Sequence, residues 1–150
     1  MWKLQKLILG QNLILANFVA IISVIIEREE IMFIKPLNNI PKEEVKAGEK
    51  TTRQVLISSE EGPNFAMRKF TIKPGGGMPM HTNTVEHEQL VLNGNAKVII
   101  GGHEFEAKKN DIVFIPANVP HSYKNIGNEP FEFLCIVPNK TDVMEIVDKK

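Results

Sequence analysis

From Thr51 onward the chain alternates short apolar runs with turn residues. Thr51–Ser58 (TTRQVLIS) reads as a strand, ended by the turn Glu60-Glu61-Gly62-Pro63-Asn64. Phe65–Lys73 (FAMRKFTIK) reads as a second strand, closed by Pro74-Gly75-Gly76-Gly77, and Met80–Asn83 as a short extended piece. Glu88–Leu92 is apolar and stops at Asn93-Gly94, a strong hairpin signal. Ala96–Ile100, His103–Ala107, Asp111–Ile115, His121–Asn125 and Phe131–Val137 complete the set. Short strands at this spacing, with turn signals between them, predict an all-β sandwich or barrel. Pro41–Lys46 and Thr141–Lys150 alone read as candidate helix in this region, so a parallel α/β sheet is not expected.

The first 31 residues differ from the rest. Leu7–Ile26 carries no charge and is long enough to cross a bilayer as a helix, with Lys3 and Lys6 ahead of it. Gln11, Asn12, Asn17 and Ser23 weaken the span, and it lacks a small-residue cleavage site. One reading is a single-pass anchor. The other starts from Glu27-Arg28-Glu29-Glu30-Ile31 directly before Met32. Glu codons and the AGR codons of Arg are purine-only, so this run can encode a ribosome-binding site ahead of a start at Met32. On that reading residues 1–31 are untranslated, residues 32–150 form the domain, and the protein is cytoplasmic. A membrane association is expected only if residues 1–31 are translated.

The 150 residues suit one domain with a sizeable core. The charges balance, 18 basic against 18 acidic, and no basic run suggests a nucleic-acid partner. Cys135 is the sole cysteine, which excludes an internal disulfide and a thiolate zinc cage. Any metal must be held by His, Asn, Asp, Glu or water.

Candidate chemistry concentrates between Pro74 and Gly94, where His81, Asn83 and His87 fall among glycine-rich turns. His81 and Asn83 share one face of a strand. In a straight strand His87 would lie about 20 Å from His81, at about 3.3 Å per residue. If both bind one ion, the chain must fold back, and Thr84-Val85-Glu86 is the expected turn, bringing His87 back beside His81. His121, after the turn Pro116–Pro120, would join them from a third strand.

These residues resemble the cupin superfamily. Its first motif, G-x5-H-x-H-x3,4-E-x6-G, is met by Gly75, His81 and Gly94, with Asn83 at the second histidine and His87 at the glutamate. Its second, G-x5-P-x-G-x2-H-x3-N, is met by Asn110, Pro116, Asn118, His121 and Asn125, with Asn at both glycine positions. Asn is the residue that best tolerates positive φ after Gly. The resemblance spans about residues 52–138, and is nearest to small bacterial and archaeal cupins with a four-histidine site. It implies a double-stranded β-helix, or jelly-roll, barrel and a homodimer. It also implies a divalent metal, Mn or Fe first and Zn, Ni or Co next, on His81, Asn83, His87 and His121.

An amide oxygen is a weaker metal ligand than imidazole, so at Asn83 either the side chain binds weakly or water takes its place. Gln89 shares the parity of His87 and is a candidate pocket residue; Met78 and Met80 are candidates for the wall of the pocket mouth or for loop packing. Arg68, in an apolar strand, is a candidate carboxylate contact or a partly exposed charge. Glu86 and Glu88 are expected to point away from the site, His103 to be an exposed turn residue and Cys135 a small core residue. The functional expectation is a metalloenzyme acting on a small carboxylated or oxygenated molecule by oxygenation, decarboxylation or isomerisation. The alternative is a non-catalytic small-molecule or metal-binding module or sensor. Fold alone does not choose between them.

Overall fold

The structure is a computed structural model that describes residues 32–147. The run Leu7–Ile26, with both the anchor and the start-site reading, lies outside the described residues. Among the described residues no helix is long and apolar enough to cross a membrane. The barrel belongs to the unit Lys35–Lys150.

Ten strands follow a single 3-10 turn at Leu37–Asn39 in the described residues. They are β1 (Glu43–Glu44), β2 (Glu49–Ile57), β3 (Phe65–Asn83), β4 (His87–Asn93) and β5 (Asn95–Ile100). They continue with β6 (His103–Lys108), β7 (Ile112–Ile115), β8 (His121–Asn125), β9 (Phe131–Pro138) and β10 (Met144–Ile146). All pairings are antiparallel, along the path β6-β5-β8-β3-β9-β4-β7. This is the all-β barrel expected.

Alternation sets which side chains enter the core. On β9 Phe131, Phe133, Cys135 and Val137 are buried, while Glu132, Leu134 and Ile136 face outward. On β4 His87, Gln89 and Val91 point inward and Leu90 outward. Tyr123 of β8 stacks on Phe133 at 5.3 Å between ring centroids, and Phe133 stacks on Phe70 of β3 at 5.2 Å. That aromatic column ties β8 to β9 and β3, each ring pair adding about 0.5–1.5 kcal/mol beyond burial.

The glycine-rich segment is the main departure from expectation. Pro74–Gly77 does not end a strand; β3 runs unbroken for 19 residues through it. Its first part, Phe65–Ile72, pairs with β2 and β9, and its later part, Gly77–His81, pairs with β8. The segment is thus a corner where β3 exchanges neighbours, from β2 and β9 to β8. Glycine is needed there for closeness: a Cβ on Gly77 would lie 2.3 Å from the Tyr123 carbonyl oxygen, and one on Gly76 2.6 Å from that of Glu49. The expected positive φ at the two motif asparagines is present, 74° at Asn110 and 63° at Asn118. Asn125, at the end of the second motif, is buried. It donates to the Ile72 and Glu129 carbonyls at 2.8 Å each and accepts from the Gly127 amide at 2.9 Å.

Four further expectations are corrected. Thr84–Glu86 does turn the chain, but β4 does not return beside β3; it pairs with β9 and β7. His87 therefore approaches from a strand that β9 separates from β3. Thr141–Lys150 is not helical where described: Met144–Ile146 forms β10 on Asn83–His81. The end of β3 otherwise offers unpaired backbone groups, and a ladder satisfies them. Pro41–Lys46 likewise contains the short strand β1 rather than a helix. Met80 does not line the cavity, because a register irregularity between Met78 and His81 shifts the alternation so that those two face inward.

Replacing Gly77 with alanine should force β3 and β8 apart. The expected loss is about 1–3 kcal/mol, read as a lower urea midpoint at unchanged slope. An unshifted midpoint would show that the corner does not need the close approach.

Candidate functional site

A cavity of about 560 Å³ lies inside the barrel, within the range of small-molecule sites. His81 and Asn83 reach it from the end of β3, His87 and Gln89 from β4, and His121 from β8. Arg68 and Met78 line it from earlier on β3. Of the sequence candidates only Met80 stays outside. His103 is exposed and distant, as expected. Glu88 pairs with outward Ile136 and Phe114, and neither it nor Glu86 lines the cavity.

The three imidazoles stand together. His81 and His121 are direct partners across β3 and β8, with ring centroids 4.2 Å apart. The His87 ring meets that of His121 edge-on at 5.5 Å. The Nδ1 of His81 lies 2.8 Å from the Pro79 carbonyl oxygen, and that of His121 lies 2.9 Å from the Val119 carbonyl oxygen. A carbonyl only accepts, so each Nδ1 carries the proton and each Nε2 keeps its lone pair. The Nε2 atoms of His121 and His87 are buried with no hydrogen-bond partner.

Asn83 adds a fourth acceptor. Its Nδ2 donates to both oxygens of Asp142, at 2.9 and 3.0 Å. A carboxylate only accepts, so this contact settles which end of the amide is nitrogen. Asn83 Oδ1 is buried and unpartnered. The backbone supports the same point, since the Asn118 amide donates to the Asn83 carbonyl at 2.7 Å.

Asp142 is the residue that sequence reasoning missed. It lines the cavity just before β10. No local pattern marks it, because its role depends on β10 pairing with the end of β3. Gln89 and Tyr123 satisfy each other, Nε2 to the hydroxyl at 2.8 Å and the hydroxyl to Oε1 at 3.0 Å. Burial also pushes the Tyr123 hydroxyl and the Cys135 thiol up, so both stay protonated. Cys135 behaves as the core residue expected.

Burial holds all three site histidines below the ordinary imidazole range. His87 is lowered to about 3, first by burial and then by the Arg68 charge. His121 is lowered to about 4 by burial, against the opposing bond to the Val119 carbonyl. His81 is lowered by burial, opposed by its bond to the Pro79 carbonyl. At neutral pH the site is a set of uncharged nitrogen and oxygen acceptors.

That donor set fits a divalent cation. The imidazoles are neutral, and the tautomers of His81 and His121 are set by backbone carbonyls, the usual support of a metal-binding histidine. The unpartnered Oδ1 of Asn83 and Nε2 of His121 are lone-pair acceptors. Among the described residues no three His, Cys, Asp or Glu side chains are already spaced for direct coordination, so closing on an ion takes side-chain rotation.

Residues 68–137 match the family model of the cupin domain. A cupin 2 domain-containing protein from Halorhodospira halophila is 30% identical, with a TM-score of 0.62 over 71% of this chain and 74% of that one. The chain belongs to the cupin superfamily. The polyketide cyclase RemF from Streptomyces resistomycificus is similar at 25% identity, with a TM-score of 0.73 over 80% of this chain and 88% of that one. Mannose-1-phosphate guanylyltransferase from Klebsiella pneumoniae is 34% identical over 93 residues. That match covers 58% of this chain and only 20% of the guanylyltransferase.

The histidines link stability to pH. Unfolded imidazoles titrate near 6.5, whereas folded His87 and His121 do so near 3 and 4. Below 6.5 the unfolded chain binds protons that the fold refuses. Their contribution to stability is full above 6.5 and falls as the pH drops towards 4 and then 3. Metal-free protein should take up about two protons from these histidines on unfolding near pH 5, and His87→Gln should reduce the uptake by about one. Urea denaturation across this pH range checks it; an identical slope in the variant would show that His87 is not held neutral.

Proposed function

We propose that this cupin binds a divalent metal ion through His81, His87, His121 and the Oδ1 of Asn83, and uses the site on a small carboxylated or oxygenated molecule. The observation that carries the reading is the convergence of three neutral imidazoles and an oriented amide oxygen on one cavity. Mn or Fe is the preferred ion, with Zn, Ni or Co accommodated by the same donors. A bound ion supplies Lewis acidity to a ligand oxygen, the chemistry shared by oxygenation, decarboxylation and isomerisation. The chain's own contribution is to hold that ligand, exclude water with the Phe70, Phe133 and Tyr123 rings, and keep the imidazoles unprotonated.

A second reading, a non-catalytic binding module, draws on one observation. Neither titratable oxygen beside the histidines is poised as a general base. Asp142 accepts from Asn83 through both oxygens, and Tyr123 is held protonated against Gln89. Turnover would then depend on the metal and the substrate's own groups.

Elemental analysis tests the site. Wild-type protein should hold a divalent ion that the His81→Ala/His121→Ala double variant loses; equal metal in both would end the metal reading. Asn83→His should tighten binding about 10-fold or more if position 83 faces the ion, and unchanged affinity would remove Asn83 from the ligand set. We also propose a homodimer, supported by the outward Leu90, Ile112 and Phe114 on adjacent strands β4 and β7. Sedimentation should give twice the chain mass, and Phe114→Glu should give the monomer; a wild-type monomer would overturn it.

A further inference from the structure

The cavity wall holds a cation with too few acceptors. Arg68 sits on β3 directly opposite Cys135 of β9, with its side chain only 16% exposed. A guanidinium presents five N–H donors in a planar fork. Here one terminal nitrogen meets the Cys135 sulfur at 3.6 Å, and a thiol is a weak acceptor. The Nε is buried with no partner at all. The charge lies over the Phe70 ring at 5.6 Å. The nearest carboxylate, Asp142, is 4.0 Å away, too far to hydrogen-bond Arg68, and both its oxygens accept from Asn83 instead. Asp142 therefore balances charge without filling the fork.

A buried guanidinium with open donors is costly for the fold alone. A planar anion with two oxygens removes that cost, because it matches the fork in a bidentate pair. Beside Arg68, Gln89 and Tyr123 are bonded to each other; the other cations lining the cavity are Lys46 and Arg53, and Arg53 is paired with Glu43 at 2.8 Å. The Arg68 charge also acts on His87, so the anchor and the histidines face one volume.

We propose that Arg68 anchors a carboxylate of the cavity's small-molecule ligand, and that Asp142 is a resident counter-charge against which the ligand competes. The ligand class is then a short carboxylate whose other polar end reaches the histidines. This rests on the reading of the cavity as a small-molecule site, but not on the presence of a metal.

The test is an NMR titration with malonate, and with neutral malonamide, on metal-free and on Mn-loaded protein. Malonate should bind the metal-free wild type and malonamide should not. Arg68→Gln should weaken malonate about 10-fold or more, and Arg68→Lys should fall between, keeping the charge without the fork. Asp142→Asn should bind malonate several-fold more tightly, because the competing charge is gone while an amide oxygen remains for Asn83. The amide spectrum of each variant reports whether the barrel is intact. Malonate affinity unaffected by Arg68→Gln, equal binding of malonamide, or no malonate binding to wild type would each overturn the proposal. Weaker binding in Asp142→Asn would overturn the role of Asp142. A metal-free response that Mn does not alter would count against the metal reading alone.

Discussion

The structure depends on one strand serving two sets of neighbours. β3 enters as a partner of β2 and β9 and leaves as a partner of β8 and β10. The transfer is possible only where backbone can pass close to backbone, and Gly76 and Gly77 provide that passage. Everything chemical follows from it. The first part of β3 carries Arg68 and Phe70, the later part carries Met78, His81 and Asn83, and the corner between them turns both sets onto one cavity.

The site that results is polar, buried and mostly uncharged. Three imidazoles are kept neutral by burial, and two of them are oriented by backbone carbonyls two residues back. The charged groups, Arg68 and Asp142, stand beside the imidazoles and do not neutralise each other through a close contact. A neutral donor set leaves an incoming cation its full charge, and a nearby guanidinium favours anions. Such a site suits an anionic ligand placed between the two.

Much of this was legible in the sequence because it is local. Strand alternation gave the inward parity of His87, Gln89 and Val91, and the motif spacing gave His81 and His121. The asparagines at the glycine positions carried their positive φ openly. What stayed hidden was non-local. A glycine run reads as a turn whether it stops a strand or carries it from one set of partners to the next. Met78 and Met80 share a parity that a bulge then breaks. Asp142 enters the site only because β10 finds the open end of β3, and no residue near Asp142 announces that pairing.

The bond between Asn83 and Asp142 joins positions 59 residues apart. Closing a loop of that length costs entropy that is recovered only once both flanking strands are seated. The amide that presents the fourth acceptor atom is therefore set only when the end of β3 and the start of β10 are seated together. Because β10 adds no buried side chain, losing it would leave the core whole and the donor set unaligned, so stability and competence rest on different parts of the chain.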